Sequence, residues 1–123
     1  MNLLFLGVSS FTGYHFVNEI SKNKSFKIYC TLTKNLKNYK SIQKKRIELI
    51  SKKTNVILVK NTKFGDKKFI KLIINKNFNV ICFHHALTKN YTDDNKFNLK
   101  KSLKENLFNI NNVFKKINKK TLI

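Results

Sequence analysis

The stretch MNLLFLGVSSFTGYHF, residues 1–16, decides the fold. Apolar residues 3–6 run without interruption into Gly7, and Gly13 follows just inside an amphipathic segment. The chain has 123 residues and only three glycines, so placing two of them here needs a physical cause. A short, continuous apolar run fits a strand buried on both faces. Residues 12–21 then carry Phe16, Val17 and Ile20 at helical spacing. Gly7 ends the strand and Gly13 lies in the first helical turn, so the opening reads as strand, tight turn, helix.

The same alternation continues outward. FKIYCTL (26–32) is β-branched and aromatic, which predicts a second strand. Residues 36–51 predict a Lys-rich helix with Ile42, Ile47, Leu49 and Ile50 partly on one face. NVILV (55–59) is a third strand, and Asp66 is placed to cap a helix over 67–75. NVICFHHA (79–86) is a fourth strand, followed by a polar loop over 87–96. Residues 97–118 predict one long helix, with Leu103, Leu107, Ile110, Phe114 and Ile117 in a repeating row. TLI (121–123) opens a further apolar run. Four strand–helix alternations predict an α/β architecture: a Rossmann-like, doubly wound parallel sheet, truncated after about the fifth strand. The length suits one domain, 1–123.

Composition narrows the class. The formal net charge is +20, and every basic residue except Arg46 is lysine. There is no Pro or Trp, while Asn, Ile and Phe are heavily used. Lysines spread over every segment read as compositional drift more than as a nucleic-acid face, so nucleic acid is expected to bind only non-specifically. Hydrophobic residues make up 41%, enough for a core and against disorder. Cys30 and Cys82 each lie in an apolar strand-like run, which predicts reduced, buried thiols and a cytoplasmic setting. No metal-ligand spacing is present, and the adjacent His84 and His85 would point to opposite faces of a strand. No apolar run approaches the ~20 residues of a membrane span.

In a doubly wound sheet, ligands bind at the carboxyl ends of the strands. The first helix N-terminus presents unpaired N–H groups and the positive end of a dipole, a natural phosphate site. Glycine lets the backbone turn sharply and lets a pyrophosphate come close. Ser9, Ser10 and Thr12 offer hydroxyl donors between the two glycines.

The segment LLFLGVSSFTGYHFVNEI resembles the start of the NAD-dependent epimerase/dehydratase family, the extended short-chain dehydrogenase/reductases. Gly7, Phe11 and Gly13 match its G-x-x-G-F/Y-[IL]-G turn, while Ser10 stands where the middle glycine usually is. The resemblance implies a dinucleotide site, and a side chain at position 10 narrows the room for pyrophosphate. VILVKNTKFGD is similar to the family's third strand, with Asn61 at the place of an adenine-side Asp and Thr62 following. NVICFHHA looks like its fourth strand, which puts His84, His85 and Ala86 near the cofactor ribose. KENLFNINNVFKKI resembles a family helix in which Asn106 is structural. At the end of the second strand the chain reads TLTKN, without an acid for a ribose 2′-OH. Thr33 and Lys34 could meet a 2′-phosphate there, so NADP is expected over NAD.

The family's Tyr-x-x-x-Lys pair is missing. Four residues after Tyr14, Tyr29, Tyr39 and Tyr91 come Asn18, Thr33, Gln43 and Asn95. The expectation is therefore a dinucleotide-binding part of an epimerase, dehydratase or reductase, without catalysis on its own. Its partners would be the cofactor and either a missing C-terminal half or a second copy. Two alternatives stay open: an α/β scaffold or interaction remnant with a decayed cofactor site, and a basic nucleic-acid-binding module. An acid pair at Asp93 and Asp94, and a substrate contact from Tyr91, are weaker candidates.

Overall fold

A computed structural model describes residues 1–86 and 96–123. Four strands form one parallel sheet in the order β3-β2-β1-β4: β1 is Asn2–Leu6, β2 Lys27–Thr31, β3 Val56–Val59 and β4 Val80–Phe83. β1 pairs with β2 from Asn2↔Lys27 to Leu6↔Thr31, and with β4 from Leu3↔Val80 to Leu6↔Phe83. The strand order reverses at β1, which defines the switch point of a Rossmann-like α/β sheet.

Helices α1 (Phe11–Ile20), α2 (Ser41–Ser51), α3 (Lys67–Lys76), α4 (Leu99–Asn106) and α5 (Ile110–Lys116) flank the sheet. Alternation along each strand feeds two cores. Leu3, Phe5, Ile28 and Cys30 pack with Val17 of α1 and with Ile47 and Ile50 of α2. Leu4, Leu6, Tyr29 and Ile81 pack with Phe69 and Ile73 of α3 and with Val113 of α5. Both faces of the central strand β1 are covered, which is why residues 3–6 read as an unbroken apolar run, whereas Ile57 of the edge strand β3 is exposed.

Caps fix the helix starts. Asp66 accepts from the Phe69 N–H at 2.7 Å and from the Lys63 N–H at 2.9 Å, as its position in the sequence predicts. Asn77 ends α3 in a left-handed conformation.

Several expected elements are corrected. The helix over 36–51 is a 3-10 turn at Leu36–Asn38 followed by α2, because the buried Tyr39 is extended and breaks it. Ile47 and Ile50 are buried as expected, but Ile42 and Leu49 are exposed. Phe16 of α1 is also exposed, and Gly13 and Val17 form the buried face. The strand expected over 79–86 ends at Phe83. The long helix over 97–118 is two helices, broken where Asn109 turns left-handed at φ 57°. Asn109 donates its side-chain amide to the Gly65 carbonyl at 3.0 Å, so a tertiary contact holds the break. Leu103, Leu107 and Phe114, three members of the expected apolar row, are about half exposed, and Val113 is the buried residue of α5.

Leu122 forms an isolated parallel bridge with Val80 and accepts the Ile81 N–H at 2.9 Å, so the last apolar run lies alongside β4. Most of the loop expected over 87–96, with Tyr91, Asp93 and Asp94, lies outside the described residues. Cys30 is buried and Cys82 half-buried, both as free thiols; burial pushes the pKa of each upward. Among the described residues no helix is long and apolar enough to cross a membrane.

Candidate functional site

The turn between β1 and α1 is held by its two glycines. Gly7 has φ +93°, in the left-handed region that side chains rarely adopt. A Cβ on it would stand 2.1 Å from the His84 carbonyl oxygen, so β1 and the end of β4 approach closely there. A Cβ on Gly13 would stand 2.2 Å from the Gly7 carbonyl oxygen. The first turn of α1 therefore rests directly on the backbone of the β1 turn, and neither position accepts a side chain without moving main chain.

Ser10 caps α1. Its hydroxyl accepts from the Gly13 N–H at 2.9 Å and donates to the Gly7 carbonyl at 3.0 Å. The side chain at the departure from the family motif is thus folded into the turn, and its proton is committed to Gly7. The backbone N–H groups of Phe11 and Thr12 make no hydrogen bond to a described residue. They stand at the positive end of the α1 dipole, with no acidic residue in the first turn.

A cavity of about 980 Å³ opens at the carboxyl ends of the strands. It brings together Gly7, Ser9, Ser10, Thr33, Lys34, Thr62, His84, His85 and Ala86 from the sequence prediction. Four others are not in its wall. Gly13 is buried beneath the turn. Phe11 and Thr12 line a smaller hollow with His15 and Phe16. Asn61 is exposed, left-handed at φ 52°, and donates its amide to the Asn35 side-chain oxygen at 3.1 Å.

The predicted residues inside the cavity have distinct surroundings. Thr33 is tied through its N–H and hydroxyl to the Tyr39 hydroxyl, at 3.1 and 3.2 Å. Lys34 extends over the Tyr39 ring, 5.9 Å from its centroid. Thr62 is buried and donates its hydroxyl to the Lys60 carbonyl. The two histidines diverge as their alternation predicts. His84 meets Phe5 and Phe16 on the α1 side, and His85 meets Phe64 and Phe83 on the α3 side. Burial holds the His85 imidazole below its ordinary pKa, opposed in part by the backbone of Asn106.

Sequence reasoning missed part of the wall: Tyr39, Gln43 of α2, Phe64, and Lys101 and Lys104 of α4. The Lys-rich composition hides the lysines, and the apolar spacing predicts a helix running straight through Tyr39. It also missed Arg46, which reaches the turn from α2. Its being the only arginine was the available signal. Among the described residues no group of acids, cysteines and histidines could hold a metal ion.

No protein-family model and no curated protein matches the chain. Solved structures do. The UDP-glucuronic acid 4-epimerase from Bacillus cereus, in complex with UDP-glucuronic acid and NAD, aligns over 94% of this chain with a TM-score of 0.65 and 14% identity. The thiolation-reductase di-domain from an archaeal non-ribosomal peptide synthetase aligns over 93%, with a TM-score of 0.65 and 22% identity. The chain covers 35% and 25% of those two proteins. The likeness is one of fold: a Rossmann-like α/β unit with a parallel sheet.

Proposed function

We propose that this chain is a NAD(P)-binding unit of the kind that opens NAD-dependent epimerases and dehydratases, the extended short-chain dehydrogenase/reductases. One observation carries the reading. The Gly7 turn and the two free N–H groups of α1 stand at the carboxyl end of β1, where the strand order reverses, beside a cavity large enough for a dinucleotide. The B. cereus epimerase of the same fold holds NAD.

The residues present fit the group. The pyrophosphate would lie against the N–H groups of Phe11 and Thr12, beside Ser9. Thr33 and Lys34 would face the adenosine ribose, and Thr62 the adenine side. His84, His85 and Ala86 would flank the second ribose. When bound, the dinucleotide supplies the hydride acceptor. The chain itself binds and orients, because its sequence has no Tyr-x-x-x-Lys pair to move a proton. A nucleotide sugar or a similar compound is the substrate class of the assembled enzyme. The half-exposed row of Leu103, Leu107 and Phe114 is the surface that a further segment or a second copy would cover.

A second reading, an interaction module with a decayed cofactor site, draws on Ser10, whose hydroxyl is consumed inside the turn. Thermal unfolding with NADP, NAD or neither separates the two. Ligand at a hundred times Kd adds about 2.7 kcal/mol, a shift of several degrees. A shift supports the dinucleotide reading, and unchanged melting with both cofactors supports the decayed site.

A further inference from the structure

All 26 basic residues of the chain lie after residue 21, so β1 and α1 have none although the formal net charge is +20. Each of α2, α3, α4 and α5 carries two or more lysines. α1 carries one acid, Glu19, and no lysine or arginine. It also presents an apolar face to solvent: Phe11 is 63% exposed and Phe16 54%. With Thr12, His15, Asn18 and Glu19 these rings line a shallow hollow of about 380 Å³, and the spacing puts all six on one side of the helix. Gly13 and Val17 occupy the opposite, buried side.

Charge runs along this face in one direction. At the Phe11 end stands the positive pole of the helix dipole. Arg46 of α2 adds to it, with its guanidinium carbon 5.4 Å from the Phe11 ring centroid. Glu19 stands at the other end, about 12 Å along the axis. Its ion pair with Lys22, at 2.7 Å, is solvent-exposed and therefore weak. We propose that α1 docks on α1 of a second copy, antiparallel and centred on His15, to form a two-fold dimer. A two-fold contact needs a self-complementary surface. Antiparallel pairing sets each Phe11 end, with its Arg46, against the partner's Glu19, and buries the two phenylalanines of each copy. The other exposed apolar row, on α4 and α5, is interleaved with Lys100, Lys104, Lys115 and Lys116. Two copies would meet there with like charge, so that row is left to a further segment. A single helix offers less than the roughly 800 Å² per partner of a standard interface, so the dimer is weak, with a Kd in the micromolar range.

The test is sedimentation equilibrium from about 1 to 300 µM protein in about 0.15 M salt, with circular dichroism as the check of folding. The mass of wild type should rise from 14.5 kDa toward twice that value and no further. Phe16→Ser and Glu19→Lys should each weaken the dimer about tenfold or more, and both side chains are exposed, so folding should persist. Glu19→Lys combined with Arg46→Glu exchanges the charges of the two ends and should recover most of the loss. Glu105→Lys makes the same change of net charge on α4 as Glu19→Lys does on α1, and Leu103→Ser trims the α4 row; both should match wild type. A wild type that stays monomeric leaves the face to a further segment or another protein and overturns the inference. Masses beyond the dimer overturn it too, as does association lost in Leu103→Ser and kept in Phe16→Ser. So does a charge exchange that recovers nothing, or an equal loss in Glu105→Lys, which would make net charge the whole effect. None of these outcomes depends on cofactor binding, so the dinucleotide reading stands or falls separately.

Discussion

Gly13→Ala sets two physical effects against each other. Inside a helix, Ala is favoured over Gly by about 1 kcal/mol, so local propensity predicts a more stable protein. Packing predicts the reverse. The new Cβ would lie 2.2 Å from the Gly7 carbonyl oxygen and 2.8 Å from Ser10 Oγ. The first distance is about 1.2 Å short of ordinary contact, and its partner is backbone. α1 must therefore lift off β1 by roughly that amount. Overpacking of this kind costs about 1–3 kcal/mol. The lift also disturbs the Ser10 cap, worth about 1 kcal/mol. Subtracting the propensity gain leaves a net loss of about 2 kcal/mol. For a chain of this length that lowers Tm by roughly 5–10 °C. Urea unfolding followed by circular dichroism measures it directly, with an unchanged slope required for a clean comparison. A Gly13→Ala protein as stable as wild type, or more so, would refute the close approach of α1 to the turn.

Burial holds the His85 pKa below its ordinary value of 6.5, so the unfolded chain binds more protons than the folded one as pH falls. The stability tied to this histidine is complete above about pH 7 and declines as pH drops through 6.5. His85→Gln should flatten the dependence of unfolding free energy on pH between about 7 and 5, and an unaltered slope would count against desolvation of this half-buried imidazole. Val113→Ala should cost about 2 kcal/mol, because this side chain fills the core shared with Leu4 and Leu6. Leu103→Gln on the exposed row should stay within about 0.5 kcal/mol, and equal costs in urea unfolding would contradict the burial pattern.

The legible parts of the molecule are those with local causes. Residues 3–6 and 56–59 announced strands through unbroken apolar runs, 26–32 through β-branched and aromatic residues, and Asp66 announced a helix start through its capping chemistry. The break at Asn109 was illegible because Leu103, Leu107 and Phe114 keep helical spacing across it. Spacing says which residues share a face, and it does not say whether anything covers that face. The cavity was half legible. Residues at strand ends, such as Thr33 and His84, follow from topology, whereas Tyr39 enters because a short turn replaces the first part of an expected helix.

The sequence by itself determined the alternation of strands and helices, hence a parallel α/β sheet, and the need for a glycine turn after β1. These rest on side-chain periodicity and on backbone preferences that act within a few residues. Only the tertiary structure decided what the glycines touch: the His84 carbonyl against Gly7, and the Gly7 carbonyl against Gly13. It alone brought Arg46 to Ser9, 37 residues away in the chain. Such contacts depend on how whole elements dock, and docking is set by the summed burial of two cores, which no local pattern records.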